Sequence, residues 1–375
     1  VFGNDYFMSA DLILQSVKKD IHWEAMRLGN PYFAGTASDS RSNCTDASRL
    51  TIGNTPLGTF PDGRDAYITN YDSCGKYTLQ SFYDRMGYDV YVTNTDNGDS
   101  KLLALSMLKE FDSGWGVRAN YTYSDVTTVG GQTSSRNISN FKYTPKYEDF
   151  NADMAVRSAF AREHTASVVA NYDAYHFEGL KTSYTFVLNY SSGEPFSYVH
   201  GNYKDCAMWG LDTESCRDAT AALYVPTNPA TSYSDGVDMV VASSYYDEFV
   251  SYLNQKGLNK YAGGFAPINE FETGSITQLD FKFVQELPGL GLTDGDKFVL
   301  SLDVQNILNL LNDEWGVITK GNDSARSVIE VEPMQADDGT LYYYGKKPYK
   351  MNIDNERTSY YRSLYKIQLG FRYHF

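Results

Sequence analysis

The chain has 375 residues, with 47 acidic side chains against 32 basic ones and a formal net charge of −15 at pH 7. A sequence pI near 4.8 argues against a polyanion as partner, because nucleic-acid binding needs a basic face that displaces counterions, so no nucleic acid is expected. Aromatic residues make up 15% of the chain, and tyrosine alone numbers 32, yet the mean hydropathy is −0.44. No stretch approaches the roughly 18 to 20 consecutive apolar residues of a membrane-spanning helix. Val1 to Ala10 lack the basic start and apolar core of a secretory signal, and no initiating Met is present, which predicts a mature, trimmed or partial chain.

In chain order, apolar and polar residues alternate with period two in eight segments, the pattern of two-faced strands. Met8, Ala10, Leu12 and Leu14 form the first apolar row, and Leu103, Leu105, Met107 and Phe111 the second. Trp115, Val117, Ala119, Tyr121 and Tyr123 follow, set against Arg118, Asn120, Thr122 and Ser124. Ala166, Val168, Ala170 and Tyr172 precede Thr182, Tyr184, Phe186, Leu188 and Tyr190. Leu279, Phe281 and Phe283 alternate with Gln278, Asp280 and Lys282, and Phe298, Leu300, Leu302 and Val304 with Ser301 and Asp303. The last segment is the clearest: Tyr365, Ile367, Leu369, Phe371, Tyr373 and Phe375 stand against Lys366, Gln368, Gly370, Arg372 and His374.

The intervening segments divide sharply by length. Those near Asp112–Gly114, His176–Gly179 and Pro288–Asp296 are short, whereas roughly 18–87, 127–163, 191–274 and 307–361 are long and rich in turn residues. A soluble antiparallel sandwich also alternates, with its apolar rows as core. It seldom needs loops beyond about 15 residues, whereas outer-membrane barrels combine short periplasmic turns, long extracellular loops and aromatic girdles. The expected fold is therefore an all-β, transmembrane antiparallel barrel with eight strands visible. Counting back from Phe375 places every long loop on one side, provided that Tyr88–Phe111 is one long strand disturbed near Asp96–Asp99. Within 191–274, Val240–Leu258 reads as a short amphipathic helix that packs the loop.

Cys44, Cys74, Cys206 and Cys216 show no CxxC spacing and no histidine pattern, so two disulfides are expected and no metal site. Three pairings are open; each neighbouring couple shares one polar segment, which favours Cys44 with Cys74 and Cys206 with Cys216, in an oxidising compartment.

The chain resembles the C-terminal barrel portion of TonB-dependent outer-membrane receptors, particularly the Oar-like subgroup. The resemblance rests on Tyr91–Asp125, on His164–Tyr198 with its HTASVVANY and SSGEPFSY, and on ALYVPT at Ala222–Thr227. DFKFVQELPG at Asp280–Gly289, FVLSLDVQNILNLLN at Phe298–Asn312 and the terminal SLYKIQLGFRYHF complete the set, in the subgroup's order. It implies a barrel of about 22 strands around a plug, of which residues 1–375 would be the C-terminal portion without plug or TonB box. It further implies a location in the bacterial outer membrane and an N-terminal remainder that meets the TonB complex. The solute taken up from outside stays open among iron chelates, vitamins, glycans and peptides. The terminal row Tyr365, Ile367, Leu369, Phe371, Tyr373 and Phe375 would be read by the barrel-assembly machinery and then face outer-membrane lipid.

Arg118, Asp280, Lys282, Asp303, Lys366 and Arg372 would face the lumen, and Tyr198, Tyr203, Trp209, Tyr224 and Tyr233 are candidate loop contacts for a ligand. Packing of the loops is the competing role for these tyrosines. No GxSxG, HExxH or GxxxxGK[ST] pattern occurs, and the five histidines are scattered, so neither an enzyme nor a cofactor is expected. Asp294 with Asp296, and Asp96 with Asp99, read as turn chemistry before calcium ligation. A complete eight-stranded barrel that adheres through its loops is the alternative reading.

Overall fold

The computed structural model describes residues 6–25, 58–65, 70–71, 77–78, 90–131, 134–177, 179–201, 221–321, 325–347 and 356–375. Eight long strands form one sheet in chain order: β1 (Tyr6–Ser16), β2 (Asp99–Glu110), β3 (Trp115–Thr128), β4 (His164–Phe177), β5 (Leu180–Ser191), β6 (Ile276–Pro288), β7 (Lys297–Gln305) and β8 (Lys366–His374). Each neighbouring pair is antiparallel, so the chain is a meander in which every strand pairs with the next long one. These are the eight segments in which period-two alternation runs through the sequence. Among the described residues, β1 and β8 are the two ends of the sheet's path and are not paired with each other.

The register explains why alternation was sufficient to find the sheet. Trp115, Tyr172, Tyr184, Phe283, Leu302 and Leu369 are partners in succession across β3 to β8, and so are Val117, Ala170, Phe186, Phe281, Val304 and Ile367. Toward β1, Met8 pairs with Met107, Ala10 with Leu105 and Leu12 with Leu103. One face is therefore apolar across all eight strands, because a period of two keeps each row on one side once the register is set. Thr182 and Gln285 interrupt this face, and the Thr182 hydroxyl donates to Gln285 Oε1 at 2.6 Å.

The connections separate by end as expected. Residues 111–114 and 289–296 turn tightly at one end, where Phe177 also pairs with Leu180, while 17–98, 129–163, 192–275 and 306–365 leave from the other. The β1–β2 hairpin continues past its sheet: Asp20–Ala25 pairs with Val90–Thr95 in the same register as β1 with β2. The break between falls at residues 96–98, where Gly98 has φ 128°, a backbone conformation open to glycine at little cost.

The hydrophobic core lies in the connections. Phe60, Val90, Ile138, Phe141, Phe150, Tyr198, Leu223, Met239, Phe249, Ile329 and Tyr343 belong to one buried cluster, to which all four long connections contribute and the eight long strands do not. Its frame is a six-stranded sheet in the order Pro229–Ala230, Met239–Val241, Leu341–Lys347, Ala325–Gln335, Pro195–Gly201 and Phe271–Glu272. Parallel pairs occur within it, between Ser197 and Ala325 and between Met239 and Tyr343. The helix expected over Val240–Leu258 is shorter, Tyr246–Gln255, because Met239–Val241 pairs as a strand with Tyr343–Gly345. We call this assembly the loop layer.

Candidate functional site

Two surfaces carry the polar chemistry: the second face of the long sheet, and the interior of the loop layer.

On the sheet, Glu110, Gly116, Asn171, Thr185, Lys282, Asp303 and Gln368 are partners in succession, one residue out of step with the apolar line. Lys282 and Asp303 form an ion pair at 3.0 Å. Lys181 bonds Asp173 at 2.8 Å and Lys297 bonds Glu286 at 2.5 Å. Arg118 and Asp280 share another line, through Val169 and Val187. Lys366 and Arg372 stand on the same side of β8, Lys366 with its ammonium 4.9 Å from the centroid of the Tyr361 ring. The six polar residues expected on one face thus share it, spread over β3, β6, β7 and β8.

The connection from β7 to β8 is tied to this polar face. Asn306, in the left-handed region at φ 52°, donates its backbone N–H to Asp280 Oδ1 at 2.7 Å. Its side-chain amide donates to the carbonyls of Gly316 and Ser363 at 2.9 and 2.5 Å, so that one buried asparagine gathers both ends of the connection. A Cβ at Gly316 would lie 2.0 Å from Asn306 Oδ1, which requires glycine there. At the opposite end of the sheet, Asp296 accepts the Leu292 N–H at 3.0 Å and the Tyr373 hydroxyl at 2.5 Å. Its role in the described structure is to close a turn. Among the described residues no group of three or more His, Cys, Asp or Glu is placed to hold a metal ion.

The five aromatic loop residues fare differently. Tyr198 and Tyr224 are buried in the core, Tyr198 edge-on to Phe271 at 4.6 Å and Tyr224 donating its hydroxyl to Asp238 at 2.9 Å. Their rings are given to packing. Tyr233 stacks on Tyr342 at 4.6 Å between ring centroids. Tyr203, Trp209 and all four cysteines lie outside the described residues.

Inside the loop layer lies a polar cluster that sequence reading missed. Arg64 and Asp62 form an ion pair at 2.8 Å with both side chains fully buried. The guanidinium also donates to the carbonyls of Tyr147 at 2.8 Å and Ala222 at 2.6 Å, and lies 4.6 Å from the centroid of the Phe265 ring. Tyr343 donates to the Asp62 carboxylate at 3.0 Å. Burial, and then the Asp62 charge, push the Tyr343 phenol well above its ordinary range, so it remains a donor. Buried charges in such a place need this full set of partners. His200 packs beside Tyr343, and its Nε2 accepts the Tyr224 N–H at 3.0 Å. Lys146 is also buried; desolvation pushes its amine down to about 8, against the pull of Asp149, Asp153 and Glu24. In sequence Asp62-Gly63-Arg64 reads as a turn, and no local signal announces a partner at position 343.

A cleft of about 50 Å³ lined by Thr128, Gly130, Tyr143, Thr144, Val156 and Asn269 lies beside the loop end of β3. That is room for a few waters, well short of a solute site. No family model, curated protein or solved structure matches this chain.

Proposed function

We propose that this chain is the C-terminal part of the barrel of a TonB-dependent transporter in the bacterial outer membrane, which captures a scarce solute outside and admits it when driven by inner-membrane energy. One observation carries the reading: an apolar face runs in register across eight strands while the hydrophobic core lies elsewhere, in the loop layer. Leu12, Leu369 and Phe371 are 68%, 73% and 66% exposed. Water does not favour so large an apolar surface, but lipid does. The opposite face, with its ion pairs, suits a water-filled path or a plug, and the loop layer would stand on the outer side.

That β1 and β8 are not paired with each other among the described residues favours a larger barrel over a complete eight-stranded one that adheres through its loops. β1 and β8 run in opposite directions, so any strands that complete the ring as an antiparallel meander come in an even number. The N-terminal remainder would carry them, with the plug and the TonB contact. The test is to read the gene upstream of the codon for Val1, and to ask whether this chain alone migrates heat-modifiably after refolding in lipid. An open frame running through further alternating strands into a plug, with no heat-modifiable form of the isolated chain, is the expected result. A signal peptide directly before Val1, with a heat-modifiable isolated chain, would replace transport by the adhesive reading.

A further inference from the structure

Three facts converge on His200, on the strand Pro195–Gly201. Its ring is 1% exposed. Its Nε2 accepts the backbone N–H of Tyr224, on the neighbouring short strand Tyr224–Val225. Its Nδ1 is buried with no hydrogen-bond partner among the described residues. An imidazole that accepts through Nε2 carries its proton on Nδ1, and protonation makes both nitrogens donors. The Tyr224 N–H would then point at another N–H and that contact would fail, leaving the backbone bonds from the His200 N–H to the Ala221 carbonyl at 2.9 Å and from the Leu223 N–H to the Tyr198 carbonyl at 3.0 Å to hold the two segments.

We propose that His200 is an acid-sensitive latch in the loop layer: neutral, it holds Tyr224 to its own strand; protonated, it releases that contact and loosens the layer around it. The surroundings bear this out from each packed element. Arg64 supplies a fixed positive charge in the same core, its partner Asp62 is already engaged by the guanidinium and by Tyr343, and the Asp238 carboxylate is taken by the Tyr224 hydroxyl and the amides of Thr227 and Asn228. Lys146 meets this region through its backbone, its carbonyl accepting the Ala222 N–H, while its amine feels Asp149, Asp153 and Glu24, and Glu330 pairs with Gly201 across the adjoining strand. Burial first, and Arg64 next, hold the imidazole well below its ordinary range, in agreement with the geometry. The sign follows: a histidine depressed in the folded state contributes its stability above about pH 6.5, and loses it as the pH falls below that value toward its folded range. The latch is independent of what the sheet transports.

The test is hydrogen exchange by mass spectrometry on the full chain at pH 7.5 and 5.0, corrected for intrinsic rates, read over residues 196–201 and 221–226. Opening should rise by about 30-fold between these values, the ratio set by an ordinary histidine that must charge on opening. His200→Gln retains an acceptor where Nε2 stood and cannot titrate, so its opening should stay level. No rise in the parent chain, or an equal rise in His200→Gln, would overturn the proposal. If His200→Gln does not fold, NMR titration of ¹⁵N-histidine in the parent chain decides: a His200 that titrates near 6.5 or above contradicts the latch, and one still neutral at pH 5 with Tyr224 exchange rising supports it.

Discussion

Leu302 and Leu369 are direct partners on β7 and β8, and one residue along the same two strands Asp303 faces Gln368 on the opposite side of the sheet. A single step in sequence separates an apolar surface from a polar one. Leu369→Arg should therefore cost about 2 to 4 kcal/mol if the residue lies near the bilayer midplane, whereas Gln368→Arg should be close to neutral. Urea unfolding in lipid vesicles reads both. Equal costs would reject the assignment of faces.

The buried Asp62–Arg64 pair predicts a loss confined to the loop layer. Arg64→Met leaves the Asp62 carboxylate in the core without its cation and should cost about 3 to 5 kcal/mol. Tyr343→Phe, which removes one donor to that carboxylate, should cost about 1 to 3 kcal/mol. Hydrogen exchange should show the segments 58–65 and 341–345 losing protection while β3 to β6 keep theirs. Protection lost equally from the long sheet would mean that the two parts do not stand apart energetically.

How much of this was legible in the sequence depends on strand length. β3, β4, β5 and β6 run for 12 to 14 residues, long enough for period two to declare itself and for all the apolar rows to fall on one face. The loop layer is built from pieces such as Tyr224–Val225, Pro229–Ala230 and Met239–Val241, too short to show any period. Two of its parallel pairings join residues more than a hundred positions apart, as Val199 with Ser327 and Met239 with Tyr343. Tyr198 and Tyr224 read as loop aromatics open to a ligand because nothing near them in sequence announces Met239, Phe271 or Tyr343 as core neighbours. Asn306 was invisible for a related reason: a lone asparagine after a strand reads as an ordinary turn, and its partners Gly316 and Ser363 are known only once the chain has folded back.

Lys146 should be a liability that its removal exposes. Burial lowers its amine to about 8 from 10.5, so the fold disfavours the charged form and the cost is fully present below about pH 8, fading as the pH rises toward 10.5. Lys146→Met should stabilise the loop layer at pH 7 by on the order of 2 kcal/mol and flatten its stability between pH 7 and 10. Thermal unfolding at both pH values decides this; a destabilised Met variant would show that the pull of Asp149, Asp153 and Glu24 on the ammonium outweighs its burial.

The turn at 289–296 should loosen in acid. The Tyr373 hydroxyl, followed by the amides of Leu292, Leu290 and Gly291, holds the Asp296 carboxyl below the ordinary carboxylate range. A depressed carboxyl contributes stability above its unfolded value near 3.9 and loses it as the pH falls through the folded one. Exchange of the Leu292 amide should accelerate below about pH 4, after intrinsic correction, and Asp296→Ala should remove that dependence. Gly289→Ala should disturb the same turn at every pH, since its Cβ would lie 2.3 Å from Asp296 Cγ. A Leu292 amide equally protected at pH 6 and pH 3 would contradict this role for Asp296.

Whether one face of the sheet meets lipid and the other a polar interior can be read residue by residue along β8. Single cysteines at positions 366 to 372, in a background freed of the four native cysteines, would be labelled with nitroxide in outer-membrane vesicles. The collision rates with oxygen and with a water-soluble nickel chelate are then compared. Ile367, Leu369 and Phe371 should favour oxygen while Lys366, Gln368 and Arg372 favour the chelate or are shielded from both, an alternation of period two. Equal chelate accessibility on both faces, or an apolar row shielded from oxygen and chelate alike, would place that row in water or under protein, not in lipid.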